Sequence, residues 1–253
     1  MLEINNLTIT YTGREQATEA VRNVSCRVGA GVFAGLVGES GSGKSTMIMA
    51  ILGLLPKSAR VSGEILFEGE NLLRFDEEKL RRIRWRQISL VPQSAQNSFT
   101  PVLTIGRHIS EVLCVHMKMS GHASDRKIDE LLELVGLEAD VKKRYAHELS
   151  GGQKQRAAIA AALACSPKLL LADEPTTALD VITQAGILEQ LVRLRRETGL
   201  AILLISHDMP MAASICDELS VMYQGQVVES GPPEKIITMP AHKHTRDLVN
   251  SAL

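Results

Sequence analysis

"LVGESGSGKST", residues 36–46, sets Gly38, Ser40, Gly41, Ser42 and Gly43 directly ahead of Lys44, Ser45 and Thr46. The spacing (Gly38, four residues, Gly43, Lys44, Ser45) fits a phosphate-binding loop. Before it, "VFAGLV" (residues 32–37) is a short apolar run suited to a buried parallel strand. After it, "STMIMAILGLL" stays free of glycine until Gly53, which suits a helix. A strand, a glycine loop and a helix in that order are the context this pattern requires.

The chemistry follows from the residue types. Glycines let successive N–H groups curl round an anion without side-chain collision. The helix beginning near Lys44 adds unpaired N–H groups and the positive end of its dipole. Lys44 reaches the β- and γ-phosphates in such a loop, and the Ser45 hydroxyl holds Mg²⁺. A Gly/Ser surface loop that happened to precede a lysine would leave both the strand and the helix unexplained. The stretch reads as a nucleoside-triphosphate site.

The chain has 253 residues, a formal charge of −1 and 45% apolar residues. That is enough for one large α/β domain or for a domain with a helical lobe. The near-zero charge argues against nucleic acid held by a broad basic field. "KLRRIRWRQ" (79–87) is a local basic cluster, and acidic "FDEEK" (75–79) precedes it, so it reads as a solvated helix face. Four cysteines (Cys26, Cys114, Cys165, Cys216) lie far apart without a CxxC pair, which predicts reduced, mostly buried thiols. The N-terminus lacks the pattern of a signal peptide. No uncharged apolar run approaches the ~18 residues needed to span a bilayer, so any membrane role is expected through a partner.

Strand-like runs occur at "EINNLTI", "VRNVSCRV", "VFAGLV", "SGEILFEG", "QISLVP", "KLLLADE", "LAILLISH" and "ELSVMYQGQVVESG". The opening and closing runs alternate or carry turn signals, as antiparallel strands do, with a turn at Gly225. "LLLAD" and "AILLIS" are continuously apolar, like core parallel strands. Between residues 104 and 165 no strand signal remains. There, Ile128, Leu131, Leu132 and Val135 form a helical stripe, and Gly136 is placed as its stop. The expectation is a single α/β domain over residues 1–253, a P-loop ATPase core with a mixed sheet. It carries an antiparallel N-terminal portion and an α-helical lobe at about 104–165.

Further chemistry sits at strand ends, where open parallel sheets bind ligands. "KLLLADEP" ends in Asp173, a direct or outer Mg²⁺ carboxylate, and Glu174, placed to polarise the attacking water. "LAILLISH" delivers His207, suited to bonding a γ-phosphate or to fixing the catalytic carboxylate. "LVPQ" ends in Gln93, whose amide suits Mg²⁺ or the water. In "LSGGQKQRAAIAAALA", Ser150, Gly151, Gly152 and Gln153 open an alanine-rich helix and form a second glycine-lined N-terminus. It lacks a lysine and magnesium groups, so it is expected to cap a nucleotide held by another subunit in a head-to-tail dimer. A helix cap alone would explain Ser150 but not the glycine pair. Tyr11 is either an adenine-stacking ring or an exposed turn aromatic.

Together these residues resemble the ATP-binding subunits of ABC transporters. "GESGSGKS" looks like their phosphate loop, Gln93 their Q-loop and "LSGGQ" their signature. "LLLADE" looks like the magnesium and catalytic strand, "ALD" (178–180, with Asp180) the D-loop, and His207 the switch histidine. The resemblance implies ATP and Mg²⁺ as ligands, with Ser45, Gln93 and Asp173 on the metal and Tyr11 as the adenine platform. "ILGLLP", "SGEILFEGENLL", "TPVLTIGRHISE" and "AHKHTRDLVNSAL" resemble, more narrowly, the ATPases of bacterial peptide and nickel importers. In that subgroup the segment after the Q-loop, here "SAQNSFTPVLTIG", meets the membrane subunits.

This implies two permease subunits, a second and non-identical ATPase, an extracytoplasmic substrate-binding protein, no nucleic acid, and a peripheral place on the cytoplasmic face of the membrane. Three features depart from relatives. Val32 stands where a glutamate is usual and reads as a surface change. The Q-loop region lacks the common Asp-Pro and Asn-Pro. No cysteine-bearing extension follows Leu253, which leans towards the nickel or metal-chelate branch. His242 and His244 read as part of a solvated tail, since two ligands make an incomplete metal site. The competing readings are an exporter ATPase, disfavoured by residues 91–110, and a non-transport ATPase, which usually carries tandem domains or coiled-coil insertions. A nucleotide-binding module without turnover is opposed by Glu174 and His207.

Overall fold

Leu2, Ile4, Leu7 and Ile9 are all at most 1% exposed, although the first pair is even-numbered and the second odd. The strand β1 (Leu2–Thr12) absorbs this change of parity with an irregularity around Asn5 and Asn6, where Asn6 adopts φ 49°. The computed structural model describes residues 1–12 and 17–252; residues 13–16 and Leu253, the last residue of the importer-like ending, lie outside the described residues. Two units divide the chain: Met1–Arg81 with Ala201–Leu253, and Arg82–Leu200.

In the first unit β1 pairs antiparallel with β2 (Ala17–Val28). β3 (Phe33–Val37) follows, buried at all five positions, and the glycine loop leads into α1 (Lys44–Ile51). β4 (Ala59–Phe67) and β5 (Glu70–Asn71) complete an antiparallel sheet in the order β2-β1-β4-β5. The basic cluster begins on α2 (Glu77–Ile83), which buries none of its residues. Lys79 pairs with Glu70 and lies 3.7 Å over the Phe75 ring, so a solvated face is what this segment provides.

The second unit pairs β6 (Ile88–Val91) in parallel with β7 (Leu169–Asp173), after a run of helices. These are α3 (Ile105–Met117), capped by the Thr104 hydroxyl, α4 (Gly121–Leu134) and α5 (Gly151–Leu163). The stripe expected on α4 is real: Ile128, Leu131, Leu132 and Val135 are at most 2% exposed. Gly136 stops the helix at φ 67°, and Leu137 N–H donates back to Leu132 O at 2.8 Å. After β7 comes α6 (Val181–Thr198), ended by Gly199 at φ 69°.

The chain then returns to the first unit. β8 (Ala201–Ser206) and, after α7 (Met209–Ile215), β9 (Glu218–Tyr223) both lie parallel to β3, one on each side. β3 is therefore a central strand, which accounts for its unbroken apolar character. β10 (Gln226–Gly231) folds back on β9 through Gln224 and Gly225, the turn read from the sequence. α8 (Pro233–Thr238) and α9 (Lys243–Ala252) follow. The fold class is as expected: mixed α/β, with an antiparallel N-terminal sheet, parallel strands and helices.

Two details differ. The C-terminal segment is packed, not solvated: Thr245 is fully buried and His244 stacks on Tyr223 with ring centroids 3.8 Å apart. The aromatic ring of Tyr223 on β9 gives the imidazole a stacking partner. Cys165 and Cys216 are buried and Cys26 is half-buried, but Cys114 is exposed on α3. Burial pushes the Cys26 thiol up to about 12, and burial with the nearby Asp217 charge does the same for Cys216, so both stay as inert thiols near neutral pH.

Candidate active site

In the first unit β3 meets β8 in parallel register, Val37 opposite Ser206, and Gly38 N–H donates to Ser206 O at 3.3 Å. The phosphate loop thus starts beside the residue before His207, whose side chain is exposed. A Cβ at Gly38 would lie 2.1 Å from the Met222 carbonyl oxygen of β9. At Gly43 φ is 106°, and a Cβ would meet the Ala20 carbonyl oxygen at 2.3 Å, so only glycine serves there. α1 begins at the next residue without a side-chain cap, and its positive end is turned towards the loop.

Lys44 is 5% exposed. Its Nζ donates to Gly38 O at 2.7 Å, Glu39 O at 2.8 Å and Ser42 Oγ at 3.3 Å. The ammonium is thereby held inside the loop by neutral oxygens, for which a phosphate is a stronger competitor. Ser40, Gly41 and Ser45 are exposed and Thr46 is half-buried. Gly225 N–H donates to Ser42 O at 3.0 Å, while Gly225 O accepts from Arg22 N–H at 2.7 Å. The β9–β10 turn therefore braces the phosphate loop. The turn was legible in the sequence, but this role was not, because the contact spans more than 180 residues of chain. Tyr11 lies on β1 opposite Thr18 and Ala59 and is half-buried.

In the second unit β7 ends in Asp173, 7% exposed, and the chain leaves the strand at Glu174 with φ 45°. The exposed Gln93, two residues beyond β6, donates from Nε2 to Glu174 Oε2 at 3.0 Å. Thr177 Oγ1 donates to the same oxygen, also at 3.0 Å. The structure thus joins two residues singled out from distant motifs and adds Thr177, which motif reading passed over. For Mg²⁺ the candidate donors Ser45, Gln93 and Asp173 offer only oxygen, the ligand type this hard ion takes. Among the described residues no cluster of three or more His, Cys, Asp or Glu could cage a metal.

A third cluster lies at the start of α5. Ser150 Oγ accepts from Gln153 N–H at 3.2 Å, and Gln153 Oε1 accepts from Ser150 N–H at 3.0 Å. This is a complete capping box. Asp180 caps α6, accepting from Thr183 N–H at 3.0 Å and Thr183 Oγ1 at 2.6 Å. The Thr183 hydroxyl, helped by the backbone N–H, holds the Asp180 carboxyl below its usual range. Gly152 ties the two helix starts together, because a Cβ there would lie 2.6 Å from the Thr183 methyl carbon. Gly151 opens α5 between these anchors.

Gly152→Ala should therefore turn Thr183 away from Asp180 and cost about 1–3 kcal/mol of stability, as overpacking does. Urea unfolding measures this, and Thr183→Ser, which removes the methyl and keeps the hydroxyl, should restore most of the loss. A variant as stable as the parent would show that this contact yields freely.

The family model described as ABC transporter matches residues 21–177. A probable peptide ABC transporter ATP-binding protein of Sinorhizobium fredii is 43% identical over 99% of this chain and 76% of its own length. The oligopeptide transport ATP-binding protein OppD of Bacillus subtilis is 41% identical over 99% of this chain and 71% of its own. Among solved structures, a dimeric ATP-binding cassette in a post-hydrolysis state, bound to ADP and Pi, superimposes with a TM-score of 0.82. It is 32% identical and covers 92% of this chain and 99% of its own.

Proposed function

Since the chain belongs to the ABC transporter family of ATP-binding subunits, in the peptide-importer branch, and is an ATPase, we propose that it drives import of peptides through two membrane permeases. A second, non-identical ATPase completes the motor, and an extracytoplasmic binding protein delivers the cargo. The chain works from the cytoplasmic face; no helix among the described residues is long and apolar enough to cross a membrane. The peptide names of the relatives favour that cargo, and the lean towards nickel draws no support from them.

The observation that carries the reading is the seat of Lys44, a buried ammonium ringed by loop oxygens at the head of α1. The loop from Gly38 to Thr46 takes the phosphates through N–H groups and Lys44, and Tyr11 stacks on the adenine. Mg²⁺ held by Ser45, Gln93 and Asp173 would neutralise charge on the phosphate oxygens. Glu174 accepts the proton of the attacking water as its oxygen bonds to the γ-phosphorus. The bond from that phosphorus to the β,γ-bridging oxygen breaks, leaving ADP and phosphate. His207 bonds the γ-phosphate or steadies the carboxylate. Ser150, Gly151, Gly152, Gln153 and Asp180 serve the partner's nucleotide and the joint.

Lys44→Ala removes a charge-assisted donor worth about 1.5–3 kcal/mol, so ATP affinity should fall about 10- to 150-fold. Calorimetric titration with ATP measures this, and uptake of labelled peptides by cells carrying the variant transporter should fail. Unchanged affinity would sink the site, and peptide efflux in place of uptake would sink the importer.

A further inference from the structure

We infer that Thr177 is a positioning residue for hydrolysis, clamping the Glu174 carboxylate in place; this rests on the reading of Glu174 as the base. Glu174 is the first residue past β7 and turns off the strand at φ 45°, so its backbone direction is fixed by the turn it opens. A glutamate side chain keeps three torsions of its own, and catalysis by a base requires the carboxylate held within hydrogen-bond reach of the water.

Two donors meet on Oε2, and they reach it by different routes. Gln93, itself exposed, comes from the segment after another strand. Thr177 belongs to the same turn as Glu174, which it grips twice. Its N–H donates to Glu174 O at 3.2 Å and its hydroxyl to Oε2 at 3.0 Å. The hydroxyl is half-buried, where such a bond is less diluted by water than at the surface. Because the turn itself closes this bond, the hold of Thr177 on the base does not depend on the Gln93 segment. The hydroxyl donates a hydrogen bond and exchanges no proton with the substrate.

The test is a cycle of variants in the full chain, read by steady-state hydrolysis, single-turnover rates and ATP titration. Thr177→Val removes the donor at nearly constant shape and should lower kcat about tenfold. KM and ATP affinity should not change, which also shows that the variant is folded. Thr177→Ser keeps the hydroxyl and should restore kcat to within about twofold. Added to Glu174→Gln, Thr177→Val should change the residual rate no further, since both act through one group.

A wild-type kcat in Thr177→Val, a serine variant as slow as the valine one, or full additivity with Glu174→Gln would each overturn the inference. Should Thr177→Val fail to fold, Thr177→Ala is read by the same criteria. If Glu174→Gln itself turned over normally, the base assignment would fall. If Glu174→Gln is inactive while Thr177→Val is normal, only the clamp falls.

Discussion

Glu174→Gln should slow ATP hydrolysis by about 10²- to 10⁴-fold, the range a positioned general base contributes, while ATP still binds. The substitution is nearly isosteric. Glu174 Oε2 receives the Gln93 amide and the Thr177 hydroxyl, and a glutamine can turn its carbonyl oxygen to the same two donors. Shape and the two bonds to this oxygen persist while the proton acceptor is lost. The phosphate loop belongs to the other unit and keeps Lys44 in its ring of oxygens, so nucleotide affinity should change by less than about threefold. A chain that binds ATP and cannot cleave it should accumulate the ATP-closed state. Size-exclusion chromatography with ATP and Mg²⁺ should then show more dimer or assembled complex than the parent. Turnover at the parental rate would move the role of base elsewhere, with His207 the first residue to examine.

The elements on which these expectations rest differ in how far the chain itself announces them. β3, the glycine loop and α1 could be read directly, because a buried central strand has to be apolar and a loop packed this closely has to be glycine-rich. α4 was equally plain, since its stripe and its Gly136 stop are local. What stayed hidden is what depends on a neighbour distant in sequence. Gly225 looked like a turn residue, but its bond to Ser42 exists only once β9 lies beside β3. His244 looked solvated because nothing adjacent in the chain forecasts the Tyr223 ring. The glycine pair after Ser150 looked like a phosphate seat, and the fold gives Gly152 a second reason, the Thr183 methyl. Thr177 was in plain view within "DEPTTALD", yet its hydroxyl gains meaning only from the distance to Glu174.

Gly151→Asp is expected to leave ATP binding at the variant's own Lys44 within about threefold and to cut dimer closure and hydrolysis by about 10²- to 10³-fold. The local argument comes first. Gly151 opens α5, where an acidic side chain interacts favourably with the positive end of the helix. Ser150 and Gln153 cap each other through groups the substitution does not touch, so α5 should form as before. Any large effect must then arise beyond the helix. If Ser150 and Gly151 face a γ-phosphate carried by the partner ATPase, the new carboxylate meets like charge in a joint with little water. At 4 Å and an effective dielectric near 20, unit charges repel by about 4 kcal/mol, roughly a thousandfold in the closing equilibrium. Mixing the variant with a partner ATPase carrying normal sites separates the steps, with nucleotide binding, assembly and hydrolysis measured one by one. Gly151→Ala controls for bulk without charge and should stay far closer to the parent. Loss of ATP binding by the isolated variant, with assembly intact, would mean that this glycine-lined helix start serves the chain's own nucleotide, and the head-to-tail sandwich would be wrong.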